Sequence, residues 1–302
     1  MKGEFKAYLK SKGYASNTIT THMATIGIYL DWLKRENLEA TVISYNDLLL
    51  YMKHCQRKGR SQKTIQHYMG VVKLFYARLL QEQKVAINPA TDIEVKGIKR
   101  KVVYKIYEPH QLNEIFNSYE PESPAGRRNK VMLGLLIYQG IKTEELAKLE
   151  VKNVKLREGK IEIPGSRKSN HRLMSLESHQ VMDMYDYVLN VRQELLNEPL
   201  KGRAKASPLP GETKKLFIGS GGNSSSFGNY TSQLMKALKA KYPDLQNAKQ
   251  IRASVIVKWL KMYNLREVQV MAGHKFISTT EGYRQNDMEG LKEEVNQFHP
   301  FG

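Results

Sequence analysis

The sequence predicts a mainly α-helical protein of two domains, with a small β-sheet or hairpin in the second. Three observations carry that reading. The first hundred residues place apolar side chains at helical spacing. A basic, non-periodic stretch from Glu94 to Lys105 then interrupts the pattern. Beyond it, period-two alternation appears at Lys160-Ile161-Glu162-Ile163 and again at Arg172-Leu173-Met174-Ser175-Leu176, two short strands about a turn. The 302 residues suit two domains of roughly 100–200 residues each.

In chain order, Ser16-Asn17-Thr18 can cap a helix running to about Lys34. Its Ile19, Met23, Ile26, Leu30 and Leu33 share one face. Ser44 or Asn46 can cap a second helix reaching about His54. Arg57-Lys58-Gly59-Arg60 forms a basic turn, and Ser61 opens a third helix with Ile65, Tyr68, Val72, Phe75 and Leu79 on one side. Asn88-Pro89 ends the run, because proline disfavours helix at the preceding residue. The whole reads as a compact four-helix unit. Glu108-Pro109 then starts a helix through Phe116, and the strongly apolar Asn129 to Tyr138 reads as a buried helix ending before Gly140. A short helix follows at Glu144 to Leu149, then the hairpin with a basic turn at Gly165 to Asn170, then a helix from His179 to Asn197. Lys201 to Gly211 and Gly219 to Ser226 read as loops. Tyr230 to Tyr242, Ile251 to Tyr263 and Arg266 to Ala272 are helical patterns, and a polar helix begins at Glu289.

The formal charge is +18, from 48 Lys and Arg against 30 Asp and Glu. Residues 1–105 hold 19 basic and 8 acidic side chains, a local +11. Such an excess calls for a polyanion, nucleic acid before an acidic membrane face. The single cysteine, Cys55, excludes an internal disulfide framework. No apolar run approaches the roughly 18 residues of a membrane span, and the N-terminus lacks a signal-peptide core, so an intracellular, soluble protein is expected. The histidines are scattered and no acidic cluster has ligand spacing, so no metal site is expected. Neither a phosphate-binding glycine loop nor a G-x-S-x-G elbow is present.

The chemistry concentrates near the C-terminus, in Gly273-His274-Lys275-Phe276-Ile277-Ser278-Thr279-Thr280-Glu281-Gly282-Tyr283 and the earlier Lys249-Gln250-Ile251-Arg252. A tyrosine can act as nucleophile if its proton is removed, and phosphoryl transfer needs cations placed around the phosphate oxygens. The last segment resembles the G-H-x-x-x-x-T-T-x-x-Y signature of the tyrosine recombinases, the phage-integrase family. Lys249 to Arg252 resembles that family's H-x-x-R box with lysine in the histidine place. Gly140-Ile141-Lys142-Thr143-Glu144-Glu145-Leu146 is similar to its first box, G-L-R-x-S-E-L, with lysine in the arginine place. The family's hairpin lysine falls on the basic turn, on Lys168 or, as a competitor, Arg167. Gly13 to Leu33 and Gly59 to Pro89 resemble its core-binding domain.

The resemblance implies a C-shaped clamp: a helical, SAM-like core-binding domain (1–93), a basic linker (94–106), a catalytic domain (107–288) and a C-terminal helix and tail (289–302) exchanged between protomers. It implies a site-specific recombinase that cuts and rejoins duplex DNA, metal- and ATP-independent and without cofactor, working as a tetramer on specific recombination sites. Integration, excision or inversion of mobile DNA through a Holliday junction is the implied task, in the cytoplasm at the nucleoid, with accessory DNA-bending proteins as candidate partners. Tyr283 is the implied nucleophile and Lys168 the general acid. Arg252, Lys142 and Lys249 would hold the non-bridging oxygens, and His274 would bond the phosphate or help take the tyrosine proton. Lys58, Arg60, Lys63, Lys99, Arg100 and Lys101 are candidate phosphate contacts. Lysine presents a point charge where a guanidinium gives two parallel hydrogen bonds. Three readings of Lys142 therefore stand: it suffices, Arg167 or Arg172 supplies the missing guanidinium, or strand transfer is weak. The last would make the chain a recombinase-like DNA-binding accessory. A type IB topoisomerase-like relaxing enzyme would share the same chemistry.

Overall fold

The computed structural model describes residues 1–98, 105–198, 213–222 and 227–284. Lys99, Arg100 and Lys101 and the segment from Glu289 onward lie outside them. The chain divides into two compact units, Met1–Arg100 and Lys101–Gly302, each with its own apolar core.

The first unit is a four-helix assembly, as expected, but its first helix was not placed in the sequence. Helix α1 (Lys2–Ser11) buries Phe5 and Leu9, one turn apart on a single face. Helix α2 (Ser16–Arg35) corrects one expectation: its N-cap is Ala15, with no side-chain cap, and Ser16 is already inside the helix. In α3 (Tyr45–Arg57), by contrast, Ser44 accepts from the Asp47 amide and Asp47 accepts from the Ser44 amide, so two orphan donors are satisfied together. Ser61 caps α4 (Gln62–Gln81) through the Thr64 amide at 3.2 Å. The core holds Tyr29 and Tyr76, whose hydroxyls meet at 2.7 Å. Buried Arg78 donates to the Met1 carbonyl at 2.7 Å and so ties α4 to the start of α1.

The second unit surrounds two helices buried on nearly every side, α6 (Pro124–Tyr138) and α11 (Ala248–Met262). Helix α6 starts five residues before the apolar run that signalled it, because Ser123 caps it and Pro124 fills its first position. Helix α5 (Pro109–Asn117) packs on it, and a single turn, α7 (Thr143–Leu146), follows it. The sheet has three antiparallel strands, β1 (Val154–Lys155), β2 (Lys160–Ile163) and β3 (Arg172–Ser175), in the order β1-β2-β3. The hairpin was legible; β1, only two residues long, was not. The expected helix from His179 is α8 (Ser178–Asp186) and α9 (Arg192–Asn197), joined by a π-turn at Tyr187–Val191. Helices α10 (Phe227–Lys241) and α12 (Leu265–Ala272) flank α11.

Candidate active site

Three segments converge on Arg252, which α11 carries in its second turn. The guanidinium is buried and donates to three partners: the Gly140 carbonyl at the end of the α6 connection, the Ala272 carbonyl at the end of α12 (2.7 Å) and His274 Nε2 (3.1 Å). Gly140 meets this demand with a positive φ of 55°, where a Cβ would also press on Val255 at 3.1 Å.

His274 follows Gly273, the left-handed C-cap of α12, and is 3% exposed. An arginine can only donate, so Nε2 accepts from Arg252 and the ring proton sits on Nδ1. Nδ1 then donates to Thr280 Oγ1 at 2.9 Å. Burial first, then the charges of Arg252, Lys142 and Arg172, push the His274 pKa down to about 3, so the ring is neutral across the physiological range. The His274 carbonyl accepts from Gln269 and from Asn170 (3.1 and 3.2 Å), fixing the ring's backbone from two elements.

Residues 277–284 are helical and return Tyr283 to the cluster. Its ring stacks on His274, centroids 5.8 Å apart and planes 10° from parallel. Its hydroxyl interacts with the Arg252 guanidinium. The tyrosine, the histidine and the arginine singled out in the sequence are thus one contact group.

Lys142 is half-buried at the start of α7, close enough to Arg252 for the two positive charges to oppose one another and to His274 for its charge to help keep that ring neutral. Burial first, then Arg252, lowers its pKa, and Glu145 opposes them. Lys168 is exposed at the hairpin tip, where Ser166 and Ser169 close the turn through their backbones and through their hydroxyls at 2.9 Å. It lines a small cavity with Lys142 and Glu145, which Arg167 does not line. Lys249 is exposed in the first turn of α11 and lines a separate groove of about 650 Å³ with Thr143, Lys236 and Lys239. Lys58, Arg60 and Lys63 are all exposed around the α3–α4 turn of the first unit.

Arg172 lies within the group, but both of its terminal nitrogens are given to Glu145, at 3.1 and 2.8 Å. Glu145 is the residue that sequence reasoning passed over. It stood in the quoted first box without a role, and its partner, 27 positions away across the hairpin, left no local signal. Asn170 was passed over for the same reason, its partner His274 lying 104 positions away; Thr280, though inside the quoted signature, and the groove lysines Lys236 and Lys239 were given no role.

Residues 105–290 match the model of the phage integrase family, and residues 3–84 match the phage integrase N-terminal SAM-like domain. The chain is 25% identical over 294 residues to the tyrosine recombinase XerD of Staphylococcus epidermidis, covering 96% of this chain and 94% of the relative. It is 24% identical over 300 residues to the tyrosine recombinase XerC of Bacillus pumilus, covering 98% and 95%. Among solved structures, the fold is similar to the XerH site-specific recombinase bound to its palindromic difH substrate after cleavage (TM-score 0.73, 16% identity, 98% and 84% covered). It is also similar to a lambda integrase dimer bound to a COC′ core site (TM-score 0.68, 12% identity, 95% and 76% covered).

Proposed function

The chain belongs to the phage integrase family and is a site-specific DNA recombinase, and we propose that it cuts and rejoins duplex DNA with Tyr283 as nucleophile. The observation that supports this most is the joint placement of Tyr283, His274 and Arg252. In the step we propose, the Tyr283 oxygen bonds to phosphorus while the bond from phosphorus to the 5′ oxygen breaks. A 3′-phosphotyrosyl link forms, and Lys168 gives its proton to the departing 5′ oxygen.

Arg252 and Lys142 hold the non-bridging oxygens, where fixed cations lower the barrier most. Lys249 contacts the phosphate backbone from the adjoining groove. In the unbound site the His274 Nε2 lone pair is occupied by Arg252. When a phosphate draws the guanidinium away, that lone pair becomes free to take the Tyr283 proton. Religation reverses the step with a new 5′ hydroxyl. Four copies on two sites, with the segment from Glu289 exchanged between them, would exchange the strands through a Holliday junction.

The test is a nicked suicide substrate built from the DNA flanking the gene. A covalent protein–DNA adduct is expected, absent in Tyr283→Phe while single-site binding persists. An adduct that survives in Tyr283→Phe would overturn the assignment. Specific binding with no adduct would favour a DNA-binding accessory instead.

A further inference from the structure

Lys142 stands where the family's first box has arginine, and its surroundings explain how a lysine is held there. Glu145 Oε2 accepts from the Lys142 amide at 3.0 Å, closing the first turn of α7. The same carboxylate takes both terminal nitrogens of Arg172 in a forked pair, with Glu145 6% and Arg172 3% exposed. Arg172 is fixed in turn by β-register opposite Ile163 and by contact with Gly273, where any Cβ would collide with its Nη1. The neighbouring Asn170 amide donates to the Gly273 carbonyl at 3.0 Å. The contacts form a closed circuit: Lys142 to Glu145, to Arg172, to Gly273 and His274, to Arg252, and back through the Gly140 carbonyl to the loop that carries Lys142.

We propose that Glu145 and Arg172 are a positioning pair for Lys142: the carboxylate fixes the backbone that carries it, while Arg172 holds the carboxylate and does not touch the scissile phosphate. The inference rests on the reading of Lys142 as a phosphate-holding cation. It replaces the idea that Arg172 stands in for a missing guanidinium, since the side chain is buried and both of its terminal nitrogens are committed to the Glu145 carboxylate.

The electrostatics agree in sign. Burial pushes the Glu145 carboxyl up, but the Arg172 hydrogen bonds and charge hold it down at about 2, so it is ionised at every working pH. Facing Lys142 are the cations Arg252 and Arg172, which disfavour its charge, and the carboxylates Glu145 and Glu144, which favour it. Neutral His274 lies behind Arg252, and Lys168 and Lys148 line the adjoining cavity. An arginine would keep its charge at any pH; for a lysine here Glu145 is the largest influence favouring the charged form. Cleavage is therefore lost as pH rises and Lys142 gives up its proton, and removing Glu145's charge brings that loss to lower pH.

The experiment measures single-turnover adduct formation on the suicide substrate from pH 6 to 10. Glu145→Gln is expected to lose about tenfold more of its own pH 7 rate by pH 9 than the wild type does. In a Lys142→Arg background the same substitution should leave the alkaline side unmoved. Arg172→Lys, which keeps the charge and loses the fork, should slow cleavage about 10²-fold at saturating DNA with DNA affinity retained. Coincident alkaline limbs in wild type and Glu145→Gln, or a shifted limb that persists with Lys142→Arg, would sink the proposal. So would a loss of DNA affinity in Arg172→Lys that matches its loss of rate. If Glu145→Gln fails to bind DNA, Glu145→Asp and Arg172→Lys carry the test through the affinity-against-rate split. If the wild type itself forms no adduct, the assignment of Tyr283 fails and this proposal fails with it; an adduct with coincident limbs defeats the positioning role alone.

Discussion

Gly273 serves two purposes with one missing atom. Its φ of 64° ends α12 in the left-handed region, which costs an L-residue roughly 1–2 kcal/mol. Its bare Cα also lets the Arg172 guanidinium lie against it. Gly273→Ala is therefore expected to destabilise the second unit by at least that backbone cost. It should also lower the adduct rate by displacing Arg172, where a remote surface alanine would do neither. Denaturant unfolding together with the adduct assay checks this; unchanged rate with lowered stability would show that the glycine is needed only for the turn. At this scale the sequence was most informative where contacts are local. His274 and Tyr283 are nine positions apart, and the short helix within the motif that joins them brings their rings to 5.8 Å. Glu145 and Arg172 were opaque for the opposite reason: a buried charged pair spanning 27 positions has no pattern until the hairpin brings β3 back.

Among the elements, the hairpin carries the proposed general acid, Lys168. Strands β2 and β3 pair over four positions, and their tip is a two-residue turn presenting Arg167 and Lys168 to solvent. Of the two, Lys168, whose amide donates to the Ser166 hydroxyl at 3.1 Å, lines the cavity beside Lys142. A general acid must lie within hydrogen-bond reach of its oxygen or come there on closure, and an exposed tip leaves Lys168 free to do so. Lys168→Ala should then reduce cleavage of an ordinary 5′-oxygen substrate by about 10²–10⁴-fold, with Arg167→Ala far milder. A substrate with a 5′-bridging sulfur, whose departure needs no protonation, should restore Lys168→Ala; failure of that rescue would pass the acid role to Arg167 or to another group. The alternation that announced β2 and β3 is a property of strands with one buried face. Strand β1 has two half-buried residues and no such contrast, and the π-turn inside the α8–α9 helix leaves the apolar spacing nearly unchanged, so neither could be read in advance. Helix α2 was misjudged at its start because Ser, Asn and Thr are as acceptable in a first turn as at a cap, and only backbone geometry separates the two.

For the molecule as a whole, the charge of +18 and its uneven spread are the features that a duplex partner explains. The first hundred or so residues carry the denser excess, and the cations at their α3–α4 turn, Lys58, Arg60 and Lys63, are all exposed. The cations proposed to hold the phosphate's non-bridging oxygens differ in kind: Arg252 is buried and held by protein partners, and Lys142 is half-buried. Affinity and chemistry should therefore separate under salt. Each phosphate neutralised releases counterions and contributes roughly −0.9 to the slope of log K against log salt, so binding through several contacts falls by orders of magnitude between low and moderate salt. Binding of Tyr283→Phe to its site, which removes the covalent step, should show that steep dependence. Replacing Lys58, Arg60 and Lys63 together by alanine should flatten the slope by roughly two to three. The single-turnover cleavage rate of DNA already bound should change little with the same salt, because partly buried charges are screened far less than exposed ones. A slope near zero, or a triple variant with the wild-type slope, would remove these three residues from the DNA contact. A cleavage rate that falls with salt as steeply as affinity does would mean that the cations beside Tyr283 are open to solvent when DNA is bound.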